Sequence, residues 1–337
     1  MDIKITGARF KNLLSYEWVK IIVGIIVGIV VWSLLFTTLG TRITVGEQFY
    51  FVTYENVFTT DSNNSDNKLL SDMKKNGVFS YDVLDVSVNK ISSAGQYSAS
   101  YMLSLRVTTQ EGDVLLISDG RATKVDENGK DKNGKIPSQE IESVINHGYV
   151  FDFETFLNRA RSYCVDNGFI IENTDGSYTV NEDEIEKYFL TERITSARNY
   201  KRTYRTAEQK AQGVKNEIAR IKAIYENYLY VDNAVKTAKE NGNDFLWYGT
   251  INQYDENGEV IEGKGEEHPF GIDLYKLNQP FISSKLKVED RWFTYADEKT
   301  TCEGLVLSVF NFESHQPDLQ YESLAFMNYI IKTYSGY

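Results

Sequence analysis

YMLSLRVTTQEGDVLLIS, residues 101–118, changes its hydrophobic pattern halfway along. The first half has apolar residues at helical spacing, among them Tyr101 and Leu105, which predicts a helix over Tyr97–Thr109. A turn at Glu111–Asp113 then leads into Val114–Ile117, a short run that is apolar throughout. Such runs are typical of strands that are buried on both faces of a sheet. This pattern therefore predicts an α/β fold.

The residues before this stretch continue the alternation of strand and helix. Phe49–Tyr54 is rich in aromatic and β-branched residues and Tyr81–Val88 alternates in polarity, so both are predicted strands. Between them, Asp66 is suited to cap a helix over Asn67–Lys75. The resulting β-α-β-α-β order favours a parallel sheet with right-handed crossovers.

Downstream, a turn-rich insertion over Asp119–Gly134 precedes a helix-rich region, and strands then return. The Asp-Gly and Asn-Gly pairs of the insertion indicate turns. The helix-rich region is predicted to contain a helix over Phe153–Val165, a hairpin over Ile170–Val180, a helix capped by Asn181 and a long helix over Ala207–Glu240. The last predicted elements are strands at Phe245–Gln253, Gly271–Leu277 and Leu305–Phe312 and a helix over Leu319–Tyr334.

The N-terminal part contains an uninterrupted apolar run, Ile21–Leu39, with no charged residue and no proline. Its nineteen residues are enough to cross a hydrocarbon core of about 30 Å as a helix. Residues 1–20 carry four basic and two acidic side chains, a net +2, whereas the other 317 residues carry 32 basic and 46 acidic ones, a net −14. Four basic residues before the run and only Arg42 just after it place the N-terminus in the cytoplasm. We therefore predict a single-pass cell-membrane protein whose body is extracytoplasmic.

Other interpretations of the apolar run are less consistent with the sequence. A cleaved signal peptide would need a small-residue site, and Thr38-Leu39-Gly40 matches it poorly. A lipoprotein would need a cysteine at the end of the run, where none stands. A buried helix that is apolar on every side is unusual in a water-soluble domain.

The sequence resembles the extracellular solute-binding proteins of ABC importers at residues 101–118, where a helix and a Gly-Asp turn precede an apolar strand. The preceding strand-helix-strand order, the basic helical stretch near Glu192–Arg220 and the LVLSVFNFES segment before the last helix are also similar. The resemblance implies a two-lobed, periplasmic-binding-protein-like ectodomain behind one transmembrane helix. The implied division is a cytoplasmic tail 1–20, a transmembrane helix 21–39, a stalk 40–45, a first lobe 46–120, a helix-rich second lobe 121–244, and strands with a closing helix 245–337.

The expected function is non-catalytic binding of a solute, for carbohydrate uptake or sensing, with an ABC permease as a partner and no cofactor. Aromatic rings stack on sugars and carboxylates accept their hydroxyl groups. The candidate ligand-binding residues are Tyr54, Asp119, Trp247 and Tyr248. The alternative for each aromatic residue is ordinary core packing.

Several other classes of function are disfavoured by composition and motifs. A net charge of −12 argues against a nucleic-acid partner, and no P-loop, G-x-S-x-G or H-E-x-x-H motif occurs. Two cysteines do not make a disulfide framework. Asp131, Asn133 and Glu140 match three ligand positions of a calcium-binding loop, but Gly129 stands at its first position. We therefore favour a glycine-rich turn over a calcium site and predict no metal.

A basic stretch is the basis for an alternative function. Its members are Arg193, Arg198, Lys201, Arg202, Arg205 and Lys210. Such a stretch is suited to contact lipid headgroups or an anionic polymer, although the favoured interpretation is a solvated helix face. In the alternative, the chain is an envelope or membrane-complex scaffold that uses a degenerate binding fold.

Overall fold

The computed structural model describes most of the chain in two compact units, Met1–Arg42 and Ile43–Tyr337. The described residues are 18–20, 22–34, 47–54, 57–59, 73–92, 98–131, 134, 136–196, 198–256, 260–261, 263–277, 293–295, 302–311 and 321–335. The predicted stalk, 40–45, and most of the predicted tail lie outside them.

In the first unit, residues 18–20 and 22–34 are helical, and every side chain of both segments is exposed. Among the described residues, no helix reaches the length and apolarity that crossing a membrane requires. Ile21 and 35–39 of the predicted span are outside the described residues. The transmembrane helix therefore stays a prediction.

The second unit is built on one mixed six-stranded sheet with the order β3-β1-β4-β10-β8-β7. Its strands are β1 (Gln48–Tyr54), β3 (Asp85–Ile91), β4 (Val114–Ser118), β7 (Leu246–Ile251), β8 (Glu266–Asp273) and β10 (Leu305–Val309). β1 runs parallel to β3 and β4, whereas β10, β8 and β7 add antiparallel pairs. The parallel sheet predicted from the β-α-β-α-β order is thus confirmed for its three strands, and the other three strands extend it with antiparallel pairs. Strands from the predicted 46–120 and 245–337 segments share this sheet, and two lobes are not shown.

Two small sheets and eight labelled helices are the other main elements described in the second unit. The small sheets pair β2 (Val57–Thr59) with β9 (Phe293–Tyr295) and β5 (Ile170–Glu172) with β6 (Tyr178–Val180). The helices are α1 (Ala99–Thr109), α2 (Gln139–Asn146), α3 (Phe153–Asp166), α4 (Glu182–Tyr188), α5 (Ile194–Ser196), α6 (Arg198–Thr203), α7 (Ala207–Glu240) and α8 (Glu322–Tyr334), with a π-helical turn at Phe189–Arg193. The hairpin and the helices predicted over 97–109, 153–165, 207–240 and 319–334 are confirmed.

Side-chain caps explain where four of these helices begin. Ser98, Asp152, Asn181 and Thr206 each accept a hydrogen bond from a backbone N–H in the first turn of the next helix. Thr206 also forms a reciprocal capping box with Gln209. A short polar side chain therefore marks the start of these four helices, whereas Ser138 before α2 forms no side-chain cap bond.

Two predicted strands have wrong boundaries. The strand predicted over Tyr81–Val88 begins only at Asp85, because the backbone N–H of Val83 bonds back to Ser80 in a turn. The strand predicted over Gly271–Leu277 ends at Asp273, and residues 274–277 are helical. The Asp273 carboxylate accepts the backbone N–H groups of Tyr275 and Lys276 at 3.0 and 3.1 Å and so starts this helical turn. Of the helix predicted over Asn67–Lys75, residues 67–72 lie outside the described part, and 73–75 are helical.

Helices cover both faces of the sheet. α3, α7 and α8 contribute to the larger core cluster on one face, and α1 and α2 contribute to the cluster on the other. Alternate residues of β4 face the two clusters: Val114 and Leu116 pack in the first, and Leu115 and Ile117 pack in the second. All four are almost fully buried, which confirms the prediction for this run.

Candidate functional site

One edge of the sheet collects the carboxyl ends of its parallel strands. β4 ends beside the start of β10, with Ser118 opposite Leu305, and β8 ends beside the same strand, with Asp273 opposite Val306. β7 begins at this edge too, because Leu246 lies opposite Ile272. In open α/β sheets, the carboxyl ends of strands are where ligands bind.

Four side chains meet at this edge and are called the edge cluster: Asp119, Arg121, Trp247 and Asp273. Arg121 bridges the two carboxylates, since its Nε donates to Asp119 Oδ2 at 2.6 Å and its Nη2 donates to Asp273 Oδ2 at 2.5 Å. Trp247 Nε1 also donates to Asp119 Oδ2, at 2.9 Å. The cluster therefore places an indole, a guanidinium and two carboxylates side by side.

Close backbone approach holds Asp119 in place. Its backbone N–H donates to the Gly304 carbonyl at 2.8 Å, and its Oδ1 accepts the backbone N–H of Arg121 at 3.0 Å. Gly304 has a φ of 74°, and a Cβ there would lie 2.6 Å from Asp119 Oδ1. Only glycine fits this position without displacing the carboxylate.

The Trp247 ring is fixed from the side of α2. A Cβ at Gly249 would lie 2.5 Å from Ile145 Cδ1 on α2 and 2.7 Å from the Trp247 ring. The indole is partly buried against the smaller core cluster. Its N–H is therefore aimed at Asp119 by packing as well as by the hydrogen bond.

The charged members of the edge cluster differ in how far their side chains are exposed to solvent. The Asp119 and Asp273 side chains are 5% and 0% exposed, whereas the Arg121 side chain is 43% exposed. Burial opposes the charged form of Arg121, but its hydrogen bond to Asp273 and the charge of Asp119 raise its pKa. The three formal charges sum to −1, so the cluster is slightly acidic with its own arginine in place.

The four predicted ligand-binding residues do not all lie together in the structure. Asp119 and Trp247 are in direct contact. Tyr54 is buried in the same core cluster as Trp247, and its hydroxyl donates to Glu140 Oε2 at 2.8 Å. Tyr248 packs against the opposite core cluster, and its hydroxyl donates to Asp244 Oδ2 at 2.8 Å.

The calcium-loop residues do not come together as a described site. Asn133 lies outside the described residues, and the Glu140 carboxylate accepts the Tyr54 hydroxyl. Across the described ranges, no group of three His, Cys, Asp or Glu side chains is arranged to hold a metal ion. The neighbouring turn is organised by Asp126, whose Oδ1 accepts the backbone N–H groups of Asn128 and Lys130.

A second polar group, which we call the buried network, comprises Asp82, Arg193, Glu217 and Arg220. Arg193 Nη2 donates to Asp82 Oδ2 at 2.5 Å, and Arg220 Nη2 donates to Glu217 Oε1 at 2.7 Å. Arg220 Nε also lies 3.5 Å from Asp82 Oδ2. All four residues are nearly inaccessible to solvent.

Two tyrosines donate hydrogen bonds to the carboxylates of the buried network. The Tyr81 hydroxyl donates to Glu217 at 2.6 Å, and the Tyr200 hydroxyl donates to Asp82 at 3.2 Å. Burial raises the pKa of Asp82 against the effect of both arginines. For Glu217, burial is outweighed by Arg220 and Arg193, and its pKa is lowered.

The prediction that Arg193 lies on a solvated basic face is wrong. Arg193 ends the π-helical turn, and its guanidinium is directed to Asp82 inside the protein. Lys201, Arg205 and Lys210 are exposed, which agrees with a solvated face. Arg202 is partly buried. The Arg198 side chain lies outside the described part.

Sequence reasoning missed Arg121 and Asp273. A usable signal exists for Asp273, because PFGID ends an apolar run in aspartate in the same way as LLISD ends at Asp119. Arg121 has no comparable signal, since it stands in a turn.

No protein-family model, no curated protein and no solved structure matches this chain. The resemblance to solute-binding proteins therefore rests on the sequence patterns alone.

Proposed function

We propose that the chain is a non-catalytic binding protein, tethered to the cell membrane by Ile21–Leu39, that captures a small solute outside the cytoplasm. The observation that carries this proposal is the meeting of Asp119, Arg121 and Trp247 at the carboxyl-end edge of the sheet. An aromatic ring beside charged hydrogen-bonding groups is the composition of a recognition site. An ABC permease is the expected partner in uptake.

Binding at this edge does not require two lobes. The edge cluster lies along one sheet, and its guanidinium is accessible from solvent. The two-lobed, periplasmic-binding-protein-like arrangement implied by the resemblance would add a second wall to the same site.

Cys164, in the larger core, is unsuited to act as a nucleophile. Burial raises the pKa of the Cys164 thiol to about 12, which leaves it protonated and unreactive at neutral pH. In the edge cluster, Asp119 and Asp273 already accept hydrogen bonds from Arg121 and backbone N–H groups. These carboxylates are arranged to hold a partner group in place.

The membrane tether is supported by the surface of the first unit. All side chains of residues 22–34 are exposed, and all but Ser33 and the two glycines among them are large and apolar. A continuous apolar surface of this kind is unfavourable in water and favourable in lipid. The excess of basic residues before it directs the N-terminus to the cytoplasm.

The proposal is tested by thermal unfolding of the full chain in detergent micelles, with a panel of saccharides and short peptides. A ligand at one hundred times its Kd should stabilise the chain by about 2.7 kcal/mol. Trp247→Phe removes the indole N–H and should weaken this stabilisation. Tyr248→Phe is the matched control, because Tyr248 packs on the opposite face and should leave binding unchanged. If no compound raises the midpoint, or if both variants behave alike, binding at this edge is refuted.

A scaffold role is the second candidate, and one observation favours it. Residues 205–212, at the start of α7, are all exposed and include Arg205 and Lys210. Arg205, just before this 34-residue helix, and Lys210, near its start, are available to an acidic partner. Crosslinking and capture from membranes, with Lys201, Arg205 and Lys210 changed to Gln, tests it. An identical set of captured proteins would leave this surface without a role.

A further inference from the structure

We propose that Arg121 is an internal occupant of a cation site, and that the ligand is a solute bearing a guanidinium or primary ammonium group which displaces it. This inference rests on the proposed function and names the ligand class of the same site. Its basis is the contrast between two buried carboxylates, Asp119 and Asp273, and the half-exposed arginine side chain that bridges them.

The carboxylates are held by groups other than the Arg121 side chain. Asp119 accepts from Trp247 Nε1 and from the backbone N–H of Arg121, and Asp273 accepts from the backbone N–H groups of Tyr275 and Lys276. None of these bonds uses the Arg121 side chain, so its rotation into solvent would not break them. The site is therefore formed by the two carboxylates and the groups that donate to them, and Arg121 contributes the positive charge.

The Arg121 side chain is placed so that it can leave. It extends from a turn after β4 in which Arg121 is exposed, its neighbours Gly120 and Ala122 are partly buried, and the backbone N–H of Thr123 donates to the Gly120 carbonyl. With 43% of its side chain exposed, the guanidinium has a direct route to solvent. Departure requires rotation of one side chain and leaves the strands unchanged.

The chemistry of the emptied site selects a cation. Without Arg121, two buried carboxylates would remain without a counter-charge, which is strongly unfavourable. A neutral sugar supplies no charge, and a carboxylate or phosphate adds repulsion. A guanidinium restores both charge-assisted hydrogen bonds in the same geometry, and an ammonium restores the charge. In this proposal the rest of the ligand contacts the partly buried Trp247 ring, which lies next to Asp119.

Chemical rescue tests this assignment. Arg121→Ala should lower the unfolding midpoint of the full chain, and millimolar methylguanidinium should restore it saturably. Tetramethylammonium, which has no N–H donor, should not restore it at equal ionic strength. Arg161→Ala is the matched control: Arg161 is 40% exposed and donates through Nε and Nη2 to both oxygens of Glu172, away from the sheet edge. Equal rescue of both variants would overturn the proposal.

A direct binding measurement tests the proposal even if Arg121→Ala does not fold. Arg121→Lys keeps the positive charge with fewer hydrogen bonds, so the internal occupant is weaker and a competing cation should bind about tenfold more tightly than to the native chain. Agmatine is the probe, and the readout is the fluorescence contribution of Trp247, obtained by comparison with Trp247→Phe. If agmatine binds the native chain and Arg121→Lys equally, or neither of them, the displacement model is refuted.

The two proposals fail in different ways. Stabilisation by a saccharide that depends on Trp247, without any response to agmatine, would refute the cation class and leave the binding function standing. No response to any compound in either experiment would refute both.

Discussion

The buried network gives the sharpest test of how this fold is held together, through the variant Glu217→Gln. Glu217 is fully buried on α7 and accepts hydrogen bonds from Arg220 and from the Tyr81 hydroxyl. Glutamine preserves the shape of the side chain and can still accept from Arg220. The change therefore removes one charge while the packing is conserved.

The magnitude follows from the charge balance of the network. In the native chain, Asp82 and Glu217 balance Arg193 and Arg220. After the change, one positive charge remains uncompensated among groups that are at least nine-tenths buried. Breaking a buried ion pair in this way costs about 3–5 kcal/mol. Because glutamine retains a hydrogen bond to Arg220, we expect the lower end, about 3 kcal/mol.

The assay is urea unfolding of the full chain, followed by circular dichroism. Glu226→Gln is the control on the same helix, since Glu226 is exposed and pairs with Lys222 at 3.8 Å. Exposed pairs of this kind contribute about 0–1 kcal/mol. A loss for Glu217→Gln that does not exceed the loss for Glu226→Gln would refute the assignment of a stabilising role to the network. The double variant Glu217→Leu, Arg220→Met should recover most of the loss, because both partners are then apolar.

Three further predictions concern single positions. Gly304→Ala should lower the free energy of unfolding by about 1–3 kcal/mol, because φ is 74° and the new Cβ would clash with Asp119; a urea titration measures this. Thr206→Ala removes the cap of α7 and should cost about 1 kcal/mol, whereas Thr206→Ser should be close to neutral in the same titration. Burial raises the pKa of Asp113 to about 8. Between the ordinary pKa of an aspartate and pH 8, Asp113 is therefore protonated in the folded chain and ionised in the unfolded chain. The free energy of unfolding should therefore fall as pH rises from about 5 to 8, and Asp113→Asn should flatten that slope; an unchanged slope would contradict the assignment.

The sequence predicts the local elements well because their signals are local. The apolar run Val114–Ile117 indicates burial on both faces, and the caps Asn181 and Thr206 mark the starts of two helices. Each of these signals involves a few neighbouring residues. The resulting elements are confirmed close to their predicted bounds.

The antiparallel half of the sheet and the edge cluster are non-local and could not be predicted in the same way. Asp119 and Asp273 are brought together by the insertion of β10 between β4 and β8, and no residue near either aspartate encodes that strand order. Arg193 illustrates a second limit. The run of basic residues around Arg193 predicts a solvated face, and this local pattern does not show that its π-helical turn directs the guanidinium to the buried Asp82.

The two polar groups lie toward opposite ends of the parallel strands and differ in accessibility, which separates stability from binding. Asp82 stands just before β3, at the amino ends of the strands, and all four members of its network are buried. The edge cluster stands at the carboxyl ends, and Arg121 is half exposed. A solute can reach only the second group without unfolding the chain. Variants of the buried network should therefore lower the unfolding midpoint while leaving the affinity of the folded chain for agmatine unchanged, whereas Arg121→Lys should change that affinity. A network variant that alters agmatine affinity as much as Arg121→Lys does would show that the two ends are coupled and that this separation is wrong.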